Sequence, residues 1–225
     1  MKPIVFGVLL GIAGPAAMQL AAADAWEAKP FTEWTKEDAQ KVLSNSPWTR
    51  QVVNYKNVAE DSSTFSGGGK RGIRGGTGTT LAKSMTTVIW ESARPVRQAF
   101  AVLKFGAEAS TSSQVKDLLA QEPTEYAILV TGFPASVVEG DADKFKQGIL
   151  KKTSLGGTNG KGGLAPKDIQ ILPDNKAVAL FITFAKDKPL TEADQDVEFD
   201  SKIGESTVKC KFHLPDMLYN GKLEL

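Results

Sequence analysis

DVEFDSKIGESTVKCKFH, residues 196–213, predicts a β-hairpin whose strand pairing can be worked out residue by residue. Gly204 and Glu205 form its two-residue turn, with glycine at the first central position as a type II′ turn requires. Counting outward places complementary charges on one face: Asp200 with Lys209, Glu198 with Lys211, and Asp196 with His213. The other face receives core residues: Phe199 with Cys210, and Val197 with Phe212. Because a shift of one residue would exchange the two faces, the pattern predicts a single register.

Two apolar runs predict the buried middle of a sheet. YAILVT (residues 126–131) and AVALFITF (residues 177–184) contain few polar residues, which is typical of strands covered on both faces. Gly132 and Pro134 are expected to end the first of these strands after Thr131. Further strands are predicted at residues 48–58, 86–90 and 169–172, and helices are predicted to begin at Thr35, Ser92, Ser112 and Asp141. The sequence therefore predicts an α+β fold: a mixed, largely antiparallel sheet with packed helices and a C-terminal β-hairpin meander.

Residues 1–23 predict a secretory signal peptide. Lys2 precedes an apolar run over residues 4–17 and small residues at A-x-A spacing, so cleavage is expected after Ala23 or Ala25. The run is shorter than the ~20 residues of a membrane-spanning helix, and no later apolar segment is longer, so the mature chain is expected to have no membrane span. Residues 26–225 are predicted to form a single α+β domain in the periplasm or the extracellular space.

The composition argues against several classes of protein. There are 27 basic and 26 acidic residues, and a net charge of +1 lacks the basic excess of a nucleic-acid-binding protein, so no nucleic-acid partner is expected. The single cysteine, Cys210, cannot form an internal disulfide, so stability must come from packing. The hydrophobic fraction of 41% is ordinary for a globular protein with its own core.

A glycine-rich excursion over residues 60–80, EDSSTFSGGGKRGIRGGTGTT, is predicted to be flexible. It does not match a nucleotide-binding P-loop, because Lys70 is followed by Arg71 rather than by serine or threonine. Its basic residues Lys70, Arg71 and Arg74 are candidate binding residues for an anionic surface polymer or another envelope protein. The alternative interpretation is an ordinary solvated loop. A second glycine-rich loop is predicted over residues 154–163.

No metal or cofactor is expected from the sequence. The acidic series that begins at Asp194 has Phe199 at its sixth position, where a calcium-binding EF-hand loop needs glycine. His213 is the only histidine, and its predicted partner Asp196 lies on an exposed hairpin face, which does not favour a catalytic triad. Paired carboxylates could still catalyse glycoside hydrolysis, although no particular pair is indicated.

Four aromatic residues lie close together in the sequence after the predicted leader: Trp26, Phe31, Trp34 and Trp48. Aromatic side chains can form a binding platform, but around a short helix they are more often part of a core. Trp26, the closest to the cleavage point, is expected to be the exposed one, and it is therefore a candidate binding residue.

Two sequence motifs carry a resemblance. WTxE (residues 34–37) with SPW (46–48), and the ending KFxLxDMxYxGKLEL (211–225), resemble a group of predicted secreted proteins from acidobacteria; SARPVR (92–97) is loosely similar as well. The resemblance implies export and a bacterial envelope setting. It implies no activity and no catalytic residue.

These observations lead to two functional hypotheses. The first is an exported, non-catalytic envelope protein that binds a protein partner or a surface polymer. The alternative is a secreted hydrolase that uses paired carboxylates. A deep pocket with two carboxylates ~5–9 Å apart would favour the hydrolase, whereas an exposed apolar patch on a shallow surface would favour the binding protein.

Overall fold

The computed structural model describes residues 24–59, 79–138, 140–157 and 163–225. The predicted signal peptide and the basic residues Lys70, Arg71 and Arg74 lie outside these ranges. Within them the predicted α+β class is confirmed. The helices are α1 (Ala25–Ala28), α2 (Lys36–Ser44), α3 (Arg94–Phe105), α4 (Ser113–Ala120) and α5 (Ala142–Leu150). The strands are β1 (Thr49–Ala59), β2 (Thr79–Trp90), β3 (Glu125–Pro134), β4 (Thr153–Gly157), β5 (Pro166–Asp174), β6 (Ala177–Ala185), β7 (Asp196–Ile203), β8 (Ser206–His213), β9 (Leu218–Tyr219) and β10 (Lys222–Leu223).

The main sheet has five strands in the order β1-β2-β3-β6-β5. A second sheet has the order β4-β7-β8, and β9 and β10 form a short hairpin of their own. Every strand pair among the described residues is antiparallel. Across these residues no helix is both long enough and apolar enough to cross a membrane.

The two predicted central strands lie next to each other in the main sheet. Tyr126 of β3 is paired with Phe184 of β6, and the residues between Tyr126 and Val130 are buried. In β6 every residue except the two terminal alanines is buried. Strand β3 does not end after Thr131, as the sequence predicted; it continues through a bulge to Pro134. The bulge therefore explains a glycine that looked like a strand terminator.

The hairpin β7–β8 has the predicted register, from Asp196 opposite His213 to Ile203 opposite Ser206. Gly204 has φ of +57°, which the first central position of a type II′ turn requires. On the charged face Lys209 Nζ lies 3.3 Å from Asp200 Oδ2 and 2.7 Å from Glu198 Oε1. On the other face Val197, Phe199 and Phe212 are completely buried.

Strand β4 corrects the prediction that residues 154–163 form only a loop. It pairs with β7, and Leu155 forms an isolated bridge with Leu164. A Cβ added at Gly156 would lie 2.4 Å from the Cα of Gly163. The two segments therefore approach so closely that glycine is needed for packing rather than for flexibility.

Trp90 connects the two larger sheets. This fully buried residue at the end of β2 contacts Phe212 of β8 edge-on, with ring centroids 5.1 Å apart, and Tyr126 of β3 at 5.7 Å. Arg50 of β1 reaches the same place, because its Nε donates a hydrogen bond to the Lys211 carbonyl at 2.7 Å. Both sheets therefore contribute to one continuous core.

The outer part of β1 and β2 forms a two-stranded ribbon. The strands pair from Thr49 opposite Ile89 to Ala59 opposite Thr79, but β3 joins them only along residues 87–90 of β2. Val53 and Met85 are paired on this ribbon and are 39% and 46% exposed, respectively. The predicted excursion of residues 60–80 overlaps the ribbon at its last two residues, which belong to β2.

Candidate functional site

A cleft of about 660 Å³ lies between the two ends of the described chain. Residues 26–31 form one wall, the β9–β10 hairpin forms the other, and helix α3 contributes the base. The volume is within the range of ~300–1,000 Å³ typical of small-ligand sites. The lining side chains are Trp26, Glu27, Ala28, Lys29, Pro30, Phe31, Arg94, Gln98, Tyr219, Asn220, Lys222 and Glu224.

The first wall is anchored on helix α2. Thr35 caps this helix in a reciprocal capping box with Asp38, as a threonine N-cap predicts. Lys29 Nζ lies 2.6 Å from Asp38 Oδ2, and the Lys29 carbonyl accepts a hydrogen bond from the Trp34 indole at 3.1 Å. Burial alone would raise the pKa of Asp38, but hydrogen bonds from Lys29 and Thr35 outweigh it and lower that pKa. The charge of Lys29 is therefore largely balanced within the protein.

The second wall is a tight hairpin held down by its own polar contacts. Asn220 and Gly221 both have positive φ, +52° and +73°, as the two central residues of a type I′ turn require. The carbonyl of Glu224 accepts a hydrogen bond from the buried Trp48 indole at 2.8 Å. Lys222 Nζ lies 3.6 Å from Glu224 Oε1 and 3.5 Å from Glu122 Oε1. The Asn220-Gly221 pair is the sequence signal for this turn, and no hairpin was predicted from it.

The base of the cleft is formed by Arg94 and Gln98, one helical turn apart on the same face of α3. Gln98 is only 3% exposed, and its Oε1 has no hydrogen-bond donor among the described residues. Burial raises the pKa of the neighbouring Tyr219 hydroxyl, and hydrogen bonding by Gln98 and the positive charge of Arg94 partly oppose this rise. The base thus combines a buried acceptor, a phenol and a guanidinium group.

Of the three cationic side chains that line the cleft, Arg94 has no ion-pair partner among the described residues. Lys29 and Lys222 lie next to carboxylates, whereas Arg94 makes no ion pair and no hydrogen bond within the described ranges. Glu27 and Glu224 line the cleft as well, and Asp38 and Glu122 pair with its two lysines, so the positive charge that is free to bind a ligand is local to Arg94. A half-exposed arginine at the base of a concave site is suited to binding a carboxylate or phosphate group.

The aromatic residues near the predicted cleavage site are mostly buried in the structure. Trp26 does line the cleft, but it is 5% exposed and packs edge-on against Trp48 with centroids 6.1 Å apart, so the expectation of an exposed Trp26 is wrong. Trp34 and Trp48 are buried, as the core interpretation predicts, and Phe31 is half-exposed. The roles of the basic excursion residues stay predictions.

The acidic strand and the histidine lie away from the cleft lining. Asp196 and His213 form a half-exposed pair on the β7–β8 hairpin, with His213 Nδ1 2.8 Å from Asp196 Oδ1. Among the described residues no group of three histidine, cysteine, aspartate or glutamate side chains is arranged to hold a metal ion. The alternating acids of β7 are accounted for by their cross-strand partners.

Cys210 is half-buried on β8, opposite Phe199. Burial raises the pKa of its thiol to about 12, against a smaller lowering by Arg50. Because the thiolate is the reactive form, we expect Ellman's reagent at pH 8 to react at least ~100-fold more slowly with the folded protein than with the protein in guanidinium chloride. Equal rates would show that the β8 edge opens readily and that Cys210 is accessible.

Comparison with known proteins adds no assignment. No family model, no curated protein and no solved structure matches the chain. The function must therefore be argued from the cleft itself.

Proposed function

We propose that this chain is an exported, non-catalytic envelope protein that binds a surface polymer in the cleft between residues 26–31 and the β9–β10 hairpin. The observation that carries this proposal is that two side chains at the base of one concave site have unused binding groups among the described residues: Arg94 has no ion-pair partner, and the buried Gln98 Oε1 has no hydrogen-bond donor. Unsatisfied buried acceptors are uncommon and costly, by about 1–3 kcal/mol, and a bound molecule that supplies a donor removes that cost.

The alternative of a carboxylate hydrolase finds less support in the geometry. Glu122 and Glu224 are both within 3.6 Å of Lys222 Nζ, so these two carboxylate oxygens lie within about 7 Å of each other. This upper limit allows a glycosidase arrangement, but the Lys222 ammonium group lies beside both oxygens, where substrate and water would have to lie. Glu122 also does not line the cleft. Glu122 and Glu224 are better explained as ion-pair partners of Lys222 that hold the β9–β10 hairpin in place.

Export can be tested by determining the first residue of the mature protein. The carbonyl of Asp24 accepts hydrogen bonds from the backbone N–H groups of Glu27 and Ala28, at 2.9 and 3.0 Å. Cleavage after Ala25 would remove this first turn of the cleft wall, whereas cleavage after Ala23 keeps it. We therefore expect intact-mass analysis of material from a bacterial periplasm or culture medium to show a chain that starts at Asp24. Retention of Met1 in cytosolic fractions would contradict export.

Binding is tested by crosslinking in intact cells followed by mass spectrometry. We expect the mature chain to be recovered with envelope polymer, and the same chain in cytosolic extract to be recovered alone. Recovery with a single envelope protein in place of polymer would assign a protein partner instead. A purified mature chain that cleaves envelope polysaccharide would support the hydrolase alternative.

The excursion residues Lys70, Arg71 and Arg74 are a separate binding prediction. In the sequence they lie between the end of β1 at Ala59 and the start of β2 at Thr79. Deletion of residues 62–78 tests them without altering the cleft. Reduced recovery of polymer would support their role, and unchanged recovery would assign the binding to the cleft alone.

A further inference from the structure

The chemistry of the cleft base restricts the charge of what can bind there. Glu27 and Glu224 also line the cleft, and they would repel a dianion such as a phosphate monoester. Arg94 has no ion-pair partner among the described residues, so it can bind one anionic group directly. A carboxylate in addition matches the planar fork of the Arg94 guanidinium, which can donate two parallel hydrogen bonds to it.

The other polar groups of the cleft favour a ligand with several hydroxyl groups. Gln98 Oε1 and the Glu27 carboxylate are acceptors, whereas the side-chain amide of Asn220 offers both donors and an acceptor. A hydroxyl group can donate to the first two and exchange hydrogen bonds with the third. A ligand with several hydroxyl groups next to one carboxylate could therefore form hydrogen bonds with the base and with both walls of the cleft.

The apolar part of the cleft suits a small ring. Phe31 is half-exposed at the wall, and the mostly buried Trp26 and Tyr219 present only small parts of their rings. Such limited apolar surface can cover the C–H groups of one or two sugar rings. The lining residues offer no deep pocket for a large hydrophobic side chain.

We propose that the cleft binds a uronic-acid residue of a polysaccharide, with its carboxylate on Arg94 and its hydroxyl groups on Gln98 and Asn220. This assignment rests on the proposed function and names the chemical class of its polymer. Gln98 and Arg94 act as binding residues, and the tight β9–β10 turn places Asn220 in the lining of the same cleft.

The test is calorimetric titration of the purified mature chain with trigalacturonic acid and with its methyl ester, which has the same rings but no charge. We expect the acid to bind at least ~10-fold more tightly than the ester, because the ester cannot accept charge-assisted hydrogen bonds from Arg94. Maltotriose serves as a neutral sugar control, and a tripeptide with a free C-terminus serves as a carboxylate without hydroxyl groups. Both are expected to bind more weakly than the acid.

Variants assign the contacts. Arg94→Gln is expected to weaken acid binding about 10-fold or more and to leave ester binding unchanged. Lys104→Gln removes the same charge from an exposed position of the same helix, outside the cleft, and is expected to change neither. Gln98→Leu is expected to weaken acid and ester alike. Thermal unfolding of each variant separates lost binding from lost folding.

The outcomes distinguish this assignment from the broader proposal. Absence of trigalacturonate binding, equal binding of acid and ester, or tighter binding of the tripeptide would overturn the uronate assignment. Envelope crosslinking would in that case still stand as support for a binding protein. Cytosolic material that retains Met1 would instead overturn the proposed function, whatever the titrations show.

Discussion

Gly132→Ala is expected to destabilise the folded chain by about 3 kcal/mol, which is a large part of the stability of a typical domain. Gly132 has φ of +99°, a conformation that alanine rarely adopts. An added Cβ would lie 2.3 Å from the Met85 carbonyl oxygen and 3.1 Å from the Thr86 Cα. Both are backbone atoms of β2, which pairs with β1 on its other side, so neither can move away cheaply.

Gly148→Ala provides the matched control for that prediction. Gly148 lies inside helix α5, and an added Cβ would meet no atom within 4 Å. Alanine is favoured over glycine in a helix, so this variant is expected to gain about 0.5–1 kcal/mol. Urea denaturation followed by circular dichroism measures both. A loss below about 1 kcal/mol for Gly132→Ala would show that the bulge can rearrange, and the close approach of β2 and β3 would not be a constraint.

Local patterns explain what the sequence could predict. The β7–β8 register follows from one turn and an alternation of period two, both contained within residues 196–213. The central strands β3 and β6 could be predicted from continuous apolar runs, because such a run is visible within the strand itself. Neither inference needed information about distant parts of the chain.

The cleft could not be predicted in this way because its parts are distant in sequence. Its walls come from residues 26–31 and from the β9–β10 hairpin, and a hydrogen bond between Trp48 and Glu224 spans almost the whole described chain. Trp26 was expected to be exposed because it is close to the cleavage point, but tertiary packing on Trp48 buries it. The one local hint at the base was Gln98, a polar residue among the apolar residues of α3.

Bulges and close approaches of the backbone were the other features missed. Gly132 and Gly156 looked like breaks in the sequence, yet both lie within strands. Glycine is present at these positions because a neighbouring backbone leaves no room for Cβ. A single sequence does not distinguish that reason from a turn.

Glu91→Gln is expected to stabilise the protein at pH 8 and to have little effect at pH 4. Glu91 follows β2, and burial raises the pKa of its carboxyl group to about 7, with the Arg97 guanidinium opposing part of the rise. Its ordinary pKa of 4.5 applies to the unfolded chain. The folded state therefore holds the proton more tightly than the unfolded state does.

The sign of the pH dependence follows from that difference. Below pH 4.5 Glu91 is protonated in both the folded and the unfolded state, so the raised pKa does not lower the stability. Between pH 4.5 and about 7 the unfolded chain releases a proton that the folded chain keeps, so stability falls as pH rises. Above pH 7 the full cost is present, at most about 3 kcal/mol, and the exposed fraction of the side chain reduces it to about 2 kcal/mol.

Glutamine cannot ionise but has the same size as glutamate. The variant should therefore be more stable than the unmodified chain only at pH values at which Glu91 is ionised in the unfolded chain. Arg97 remains fixed in the variant, because it donates hydrogen bonds to the carbonyls of Leu118 and Gln121 at the end of α4. Urea denaturation at pH 4, 6 and 8 measures the difference from the unmodified chain, and Glu205→Gln in the exposed hairpin turn is the control. A Glu91→Gln variant that is less stable at pH 8 would mean that ion pairing with Arg97 outweighs the burial of the carboxylate. A difference of the same size at pH 4 and pH 8 would mean that the titration of Glu91 is not the cause.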